Sequence, residues 1–234
     1  MKRWIAAAAM LAGSALAQPA GDLRDLSVGL PAARLPTDGY FAFACASNGG
    51  TPLEPIDDWT AFRQCAPDRA TGLYEVYYEY DDEGDYTLRM LADVVGDGER
   101  VGMRQFYGTR VAGHPAVLSV LFDETGVAQA VRVVTDQRAD VESRRNAYLL
   151  RVAIMNSYGH DGWTCIDMPL AEGETPVGQF SVKARCEKVV GTRRMIVEAH
   201  LYRKAGQTGF DRAGDALDGD FFSLGRWEIW GSAR

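Results

Sequence analysis

Four cysteines, spaced as two similar pairs, constrain the fold of this 234-residue chain more than any other feature. Of the three pairings that four cysteines allow, spacing favours the local one, Cys45 with Cys65 and Cys165 with Cys186. Each bond would close a loop of about 20 residues and stabilise the fold by on the order of 3 kcal/mol. A zinc site or redox pair is the alternative, but the chain has no CxxC spacing and no histidine beside a cysteine.

The first 17 residues have the composition of a secretory signal peptide. Lys2 and Arg3 precede a short apolar stretch, and Ala15-Leu16-Ala17 supplies the small residues that a signal peptidase reads. We expect cleavage between Ala17 and Gln18, since a cut after Ala20 fits the pattern less well. A buried N-terminal helix is the alternative. The expected location is therefore outside the cytoplasm, in a bacterial periplasm, where disulfides persist.

Composition excludes several classes of protein. Acidic side chains outnumber basic ones by 32 to 25, and the formal net charge of −7 offers nucleic acid no general electrostatic footprint. No apolar run reaches the roughly 18 residues that a membrane-spanning helix needs, so no transmembrane segment is expected. The 47% apolar and 24% charged residues are typical of a globular protein.

Hydrophobic alternation predicts that most of the chain forms β-strands. In 73–80, the tyrosines and Val76 at even positions share a face that we assign to the core, and Glu75 and Glu79 share a face that we assign to solvent. The apolar runs 116–122 and 127–134 flank a turn in which Gly126 can take a positive φ, which predicts a hairpin. Further strands are predicted at 101–107, 180–185, 195–203 and 221–230.

One amphipathic helix is predicted after the hairpin. Asp140 is a suitable N-cap and Gly159 can end the helix. Four apolar residues between them fall on one stripe at helical spacing: Val141, Tyr148, Val152 and Met155.

Three arginines, Arg144, Arg145 and Arg151, border that stripe. They could form the cationic rim of an anion-binding pocket. The simpler interpretation is that their stems cover the edge of the buried face while their charged ends stay in water.

These elements predict the α+β class, with mostly antiparallel β-sheet. Two disulfide-closed β units flank a β-hairpin and one amphipathic helix, which packs across the sheet. The predicted segments are a signal peptide (1–17), an N-terminal arm lying on the surface (18–37), a first β-rich unit (38–111), the hairpin with the helix (112–159) and a second β-rich unit (160–234).

An internal duplication is a further hypothesis. Asp38-Gly39-Tyr40 leads into Cys45, and Asp161-Gly162-Trp163 leads into Cys165. A gapless alignment then places Cys65 on Cys186 and the strand 74–80 on 195–201, with their core faces in phase. Identical residues are few, so the spacing leaves duplication and chance similarity open.

No motif identifies an active site. The histidines, His114, His160 and His200, lack metalloprotease spacing, and the chain has no G-x-S-x-G elbow and no phosphate-binding loop. We therefore predict no catalytic residue, no metal and no cofactor. The candidate ligand-binding residues are Arg144 and Arg151, with His160 in the loop after the helix.

Acidic residues allow two further interpretations. Glu75 and Glu79 could form a glycosidase-type carboxylate pair. The acidic clusters at 81–85 and 215–220 could hold calcium. Polar strand faces and turns explain both patterns more simply.

Three classes of function follow. The first is a non-catalytic exported protein that binds another protein or an envelope component through a sheet face or edge. The second is a small-ligand-binding protein with a pocket between helix and sheet. The third, which the sequence favours least, is a hydrolase of cell-wall or sugar substrates.

Overall fold

A computed structural model describes residues 22–80, 109–207 and 221–231. The predicted signal peptide with its expected Ala17–Gln18 cleavage site, the predicted strand 101–107 and the acidic clusters at 81–85 and 215–220 lie outside these ranges. Nine strands are described: β1 (Tyr40–Cys45), β2 (Tyr74–Tyr80), β3 (Arg110–Val111), β4 (His114–Phe122), β5 (Ala128–Thr135), β6 (Thr164–Asp167), β7 (Val182–Val190), β8 (Arg193–Tyr202) and β9 (Phe222–Trp230). The helices are α1 (Val141–Arg145), α2 (Leu150–Ser157) and the 3-10 turns Ala32–Arg34, Trp59–Gln64 and Ala147–Leu149.

The described strands form one antiparallel sheet in the order β1-β2-β4-β5-β9-β8-β7-β6, and the short β3 also pairs with β4. Mostly antiparallel sheet with little helix confirms the predicted α+β class. Strands β1, β2, β4 and β5 follow one another inward from one edge of the sheet, and β6–β9 follow one another inward from the other edge. These two halves of the sheet meet at β5 and β9. That seam pairs Arg132 with Glu228 and Val133 with Trp227.

Both local disulfides are present. Cys45 bonds Cys65, with Cα atoms 5.1 Å apart, and Cys165 bonds Cys186, with Cα atoms 4.0 Å apart. The first links β1 to the 3-10 turn that follows it. The second joins two residues directly opposite each other on β6 and β7. The described residues contain no free cysteine.

The hairpin between β4 and β5 is confirmed. Gly126 has φ +83°, its N–H donates to the Asp123 carbonyl at 3.0 Å, and the Asp123 N–H donates to Val127 at 3.0 Å. The Asp123 carboxylate accepts from the backbone of Thr125 and Val127. These hydrogen bonds and Thr125 Oγ1 lower the pKa of Asp123 despite the opposing cost of burial.

One sheet face carries the main core. As predicted, Val76 and Tyr78 of β2 are fully buried there. Trp59 lies at the centre, with ring centroids 4.7 Å from Phe43 and 5.1 Å from Tyr78, and its indole donates to the Pro36 carbonyl. The 3-10 turn that holds Trp59 begins at Asp58, whose side chain accepts from the Thr60 N–H.

The expectation of a surface arm before residue 38 is wrong for its described part. Leu26, Val28, Ala32 and Leu35 are buried and belong to the main core. The segment also forms backbone hydrogen bonds along the start of β5, such as Gly29 N–H to the Ala128 carbonyl at 2.8 Å.

The helical region begins and ends where the sequence predicts, but the face that it buries is not the predicted one. Asp140 caps α1 by accepting from the Glu142 and Ser143 N–H groups, and Gly159 has φ +75° after α2. Between them the chain is α1, a 3-10 turn and α2, and this break rotates the buried face. Val141 and Val152 are exposed, whereas the buried residues are Ala147, Leu150 and Ile154.

Close packing explains where this helical region lies on the sheet. A Cβ atom at Gly225 of β9 would come 2.5 Å from the Ala147 carbonyl and 2.7 Å from Leu150 Cβ. Only glycine therefore lets the helical region approach the sheet so closely.

None of the described helices is both long enough and apolar enough to cross a membrane.

The strand order bears on the duplication hypothesis. From the edge to the seam, the first half has the strand order β1-β2-β4-β5 and the second half has the order β6-β7-β8-β9. In both halves the strands therefore follow the order of the chain. The gapless alignment instead matches β2, second from its edge, with β8, third from its edge. Duplication therefore stays a hypothesis, and any structural correspondence would need a different alignment.

Candidate functional site

The two edges of the sheet differ in what covers them. The outer side of β1 is paired with residues 53–56: the Cys45 N–H donates to the Glu54 carbonyl at 2.8 Å, and the Leu53 N–H donates back to the Cys45 carbonyl at 2.8 Å. The Ile56 N–H also donates to Phe43 at 3.0 Å. This edge is therefore closed by the chain itself.

The β6 edge is open. All four of its residues are exposed, and among the described parts of the chain only β7 pairs with it. The Met168 N–H donates to the Lys183 carbonyl at 2.7 Å, so Met168 is a hydrogen-bonded position of the β6–β7 pairing. Because such positions alternate along an antiparallel strand, Thr164 and Ile166 also hydrogen-bond to β7. The backbone N–H and C=O groups of Cys165 and Asp167 therefore point away from β7. The 4.0 Å between the Cα atoms of Cys165 and Cys186 fits this non-hydrogen-bonded position.

A disulfide fixes this short strand in place. A strand of four residues at an edge has few hydrogen bonds to hold it, and free ends of this kind fray. The Cys165–Cys186 bond ties its centre to the buried side of β7. The disulfide therefore holds this edge in an extended conformation.

A groove with a volume of about 510 Å³ opens beside this edge, on the sheet face opposite the main core. Thr164 and Ile166 of β6 lie on that face because they pair with Glu187 and Arg185. Ile166 is 56% exposed and Val189 is 70% exposed. The groove therefore offers apolar contact next to unpaired backbone groups.

Charged side chains of β7 and β8 also line the groove. They include Arg185, Glu187 and Arg194. The ammonium group of Lys188 is turned away from them and donates to the Tyr158 and Gly159 carbonyls. Arg194 and Arg185 donate to Glu187 at 2.7 and 2.9 Å, and these hydrogen bonds lower the pKa of that carboxyl.

A second carboxylate continues the network inward. Arg185 also pairs with Glu198 of β8, and His200 Nε2 lies 4.0 Å from the same carboxylate. His200 and Arg185 together lower the pKa of Glu198 to about 2. His200 lies on the sheet face opposite the main core, and its side chain is mostly buried there.

The same sheet face carries a buried ionic cluster in the other half. Contrary to the prediction of a solvent face, Glu75 is fully buried, and it pairs with Arg132 at 2.7 Å. Arg132 also pairs with Glu228 across the β5–β9 seam at 2.7 Å. Arg132 lowers the pKa of Glu228 against the opposing effect of burial.

Every oxygen of Glu75 is satisfied. The backbone N–H groups of Asn48 and Gly49 donate at 2.6 and 2.8 Å, and Ser119 Oγ donates at 2.6 Å. With Arg132 these donors give the buried carboxylate a partner for each of its oxygens. This cluster joins β2, β4, β5 and β9 and is structural. Because Glu75 is buried in this cluster, it does not form a glycosidase-type pair of carboxylates with Glu79.

The candidate ligand-binding residues do not line the groove. Arg144 donates to the Ala139 carbonyl at 3.1 Å, and Arg151 lies with Nη1 3.8 Å from Cys186 Sγ, on the main-core side of the sheet. His160 is exposed in the bend after α2. His114 begins β4, where burial and Arg110 lower its pKa. No described group of histidine, cysteine and carboxylate side chains could hold a metal.

Sequence reasoning missed both the groove and the open edge. Strand β6 is too short to show alternation, and the charged residues of the groove come from two different strands, β7 and β8. The Asp161-Gly162 turn followed by Cys165 was the one local signal of a strand there.

A scan against protein-family models and searches of curated proteins and of solved structures found no match to this chain.

Proposed function

We propose that this chain is an exported, non-catalytic interaction protein that binds an extended segment of a partner protein as an added strand on β6. The observation that carries the proposal is the contrast between the edges: β1 is paired by residues 53–56, whereas β6 presents the outward N–H and C=O groups of Cys165 and Asp167. Strand addition uses such groups for affinity and neighbouring side-chain pockets for specificity.

Two further observations support it. Exposed sheet edges are normally shortened, charged or covered, because they otherwise aggregate. Here the edge is short, which limits self-assembly, yet a disulfide holds it extended and a groove lies beside it. Rigidity before binding lowers the entropic cost of association.

The binding test uses a displayed library of random segments of about ten residues, the upper length of a typical strand. The full chain is the target, and a chain with Asp167→Pro is the comparison. Proline removes the outward N–H of residue 167 while leaving the inward bonds of β6 intact, since Asp167 does not bond β7. Asp167→Ala keeps that N–H and is the matched control.

We expect enriched segments to bind the wild-type chain and Asp167→Ala alike, and to bind Asp167→Pro about tenfold more weakly. Circular dichroism and thermal unfolding should show that all three fold. No enrichment, or segments that bind the proline variant equally well, would contradict strand addition at β6.

Export has its own test. When the full sequence is expressed in a bacterium with two membranes, we expect the protein in the periplasmic fraction with an N-terminus at Gln18. Intact mass spectrometry measures the cleavage site. An uncleaved chain in the cytoplasm would contradict export.

A further inference from the structure

We infer that the Cys165–Cys186 bond is a site of thiol–disulfide exchange, which a dithiol reductant opens by attack on Cys165. The inference goes beyond strand addition, because it concerns the chemistry of the bond that holds β6 and not the segment that β6 binds. The Cys45–Cys65 bond stays closed under the same conditions and is the comparison within the same chain.

The two disulfides differ in exposure. Cys45 and Cys65 are both buried in the main core. Cys165 lies on the open edge, where all four residues of β6 are exposed, and its partner Cys186 is fully buried. Exchange begins when a thiolate reaches a disulfide sulfur, so access decides which bond reacts and which of its sulfurs is attacked. The exposed Cys165 is therefore the residue that an external thiolate attacks.

An arginine lies next to the sulfur that would leave. Attack on Cys165 Sγ breaks the S–S bond and releases Cys186 Sγ as a thiolate. Arg151 Nη1 donates to Cys186 Sγ at 3.8 Å, and this sulfur is the only hydrogen-bond partner of Arg151 among the described residues. Burial alone disfavours a thiolate, whereas an adjacent guanidinium stabilises it and makes it a better leaving group.

One dithiol balances the bonds and electrons of the reaction. Its first thiolate forms a bond to Cys165 Sγ, and the electron pair of the broken S–S bond leaves with Cys186 Sγ. Its second thiolate then attacks the first sulfur of the reductant, which closes a disulfide in the reductant and releases Cys165. The dithiol loses two electrons and two protons, and both cysteines become thiols. All four cysteines of the chain are in disulfides, so the second thiol has to come from the reductant.

Reduction has a consequence for the open edge. Strand β6 has four residues, and the disulfide is its covalent tie to β7. A short edge strand without such a tie frays, so its backbone groups lose their extended arrangement. Reduction would thus weaken the binding of an added strand. This consequence rests on the proposed function, whereas the exchange reaction does not.

Partial reduction of the folded chain tests the reaction. The chain is treated with dithiothreitol in the absence of denaturant and alkylated at intervals, and peptide mass mapping gives the rate at which each disulfide opens. The same rates are measured for Arg151→Gln and for Arg151→Lys, which keeps the positive charge. Arg145→Gln is the matched control, since Arg145 is an exposed arginine of α1 that pairs with Glu142.

We expect Cys165–Cys186 to open at least about tenfold faster than Cys45–Cys65, because a thiolate reaches only the edge bond without unfolding the chain. Arg151→Gln should slow this opening about threefold, since the leaving thiolate loses its cation. Arg151→Lys should restore most of the rate, and Arg145→Gln should leave it unchanged. A variant that merely unfolds more often would open both bonds faster, so the rate at Cys45–Cys65 separates this effect.

Two results would overturn the inference. Equal rates at the two bonds, or faster opening of Cys45–Cys65, would overturn exchange at the edge. A rate at Cys165–Cys186 that Arg151→Gln does not slow would overturn the role of Arg151.

Amide exchange tests the coupling to the edge, at a concentration of dithiothreitol that opens only Cys165–Cys186. We expect faster exchange in 164–167 and weaker binding of the displayed segments. Unchanged amide exchange in 164–167 would overturn the control of the edge by reduction. Faster exchange with unchanged binding would overturn strand addition at β6 and leave thiol–disulfide exchange standing.

Discussion

At the scale of single residues, buried polar groups decide more than the hydrophobic pattern shows. The alternation of 73–80 predicts correctly which face of β2 joins the main core, but it assigns Glu75 to solvent. A glutamate opposite a core face looks the same in sequence whether water or an arginine satisfies it. The partner here is Arg132, which comes from another strand far along the chain, so no local pattern predicts the pair.

Arg132→Leu should destabilise the fold by about 3–5 kcal/mol, because it leaves the carboxylate of Glu75 buried without its cation and removes one of the two arginines that pair with Glu228. Denaturant unfolding measures the change. Arg145→Leu removes an arginine from an exposed pair with Glu142 and should change stability by less than about 0.5 kcal/mol. Equal effects of the two variants would contradict a structural role for the cluster.

Gly49→Ala should be more destabilising than Gly39→Ala. Both glycines have positive φ, +69° and +78°, so each alanine costs about 1–2 kcal/mol in backbone strain. At Gly49 a Cβ atom would also lie 2.3 Å from Val134 Cγ2, whereas at Gly39 it meets nothing within 4 Å. The added cost of overpacking is about 1–3 kcal/mol. Thermal unfolding that ranks the variants the other way would contradict this packing.

Stability should fall in acid. A carboxyl whose pKa is lowered by folding stabilises the protein above its unfolded pKa and loses that contribution as pH falls through its folded pKa. For Glu198 that window runs from about 4.5 down to about 2. Glu198→Gln should therefore flatten the loss of stability in this range while lowering stability at neutral pH. Denaturant unfolding at several pH values measures it, and an unchanged pH profile would contradict the assignment.

At the scale of elements, the sequence predicts long strands and turns well and short strands poorly. The β4–β5 hairpin, the Asp140 cap and both disulfides are confirmed, because each depends on residues close in sequence. The buried face of the helical region is wrong, because a 3-10 turn at 147–149 shifts its phase. Strand β6, which carries the candidate site, was not predicted, since four residues are too few for a periodic signal.

The two disulfides should differ in their local effects. Cys165→Ala with Cys186→Ala should speed amide exchange in 164–167 and weaken the binding of displayed segments, because the open edge loses its covalent tie. Each double variant should lower the free energy of unfolding by on the order of 3 kcal/mol. Cys45→Ala with Cys65→Ala should leave amide exchange in β6 unchanged relative to exchange in the other strands. Hydrogen exchange with mass spectrometry separates the two effects, and identical local patterns would contradict the role given to Cys165–Cys186.

At the scale of the whole molecule, the two edges of the antiparallel sheet differ. Its halves meet at a seam held by Arg132 and Glu228 and by the packing of Trp227. Residues 53–56 close the β1 edge, whereas the described part of the far edge ends in exposed strand beside a groove. Hydrophobic alternation predicts the fold class and the N-terminal segment predicts export. An open edge depends instead on which strands end the sheet, and that order is a property of the folded chain alone.

Apolar contact beside the open edge should also contribute to the affinity for an added strand. Ile166→Ser should weaken displayed segments severalfold, because it removes exposed apolar surface next to the added strand. Leu53→Ser changes a comparably exposed residue on the covered edge and should leave binding unchanged. Titration of a labelled segment measures both affinities, and equal loss in the two variants would contradict the placement of the segment.

The most direct test of strand addition is amide hydrogen exchange of the full chain, resolved by residue, with and without an enriched segment. The account predicts that the N–H groups of Cys165 and Asp167 exchange quickly in the free chain and become protected when the segment binds. Protection elsewhere on the sheet, with these two amides unchanged, would show that the segment binds at another surface and would contradict the account.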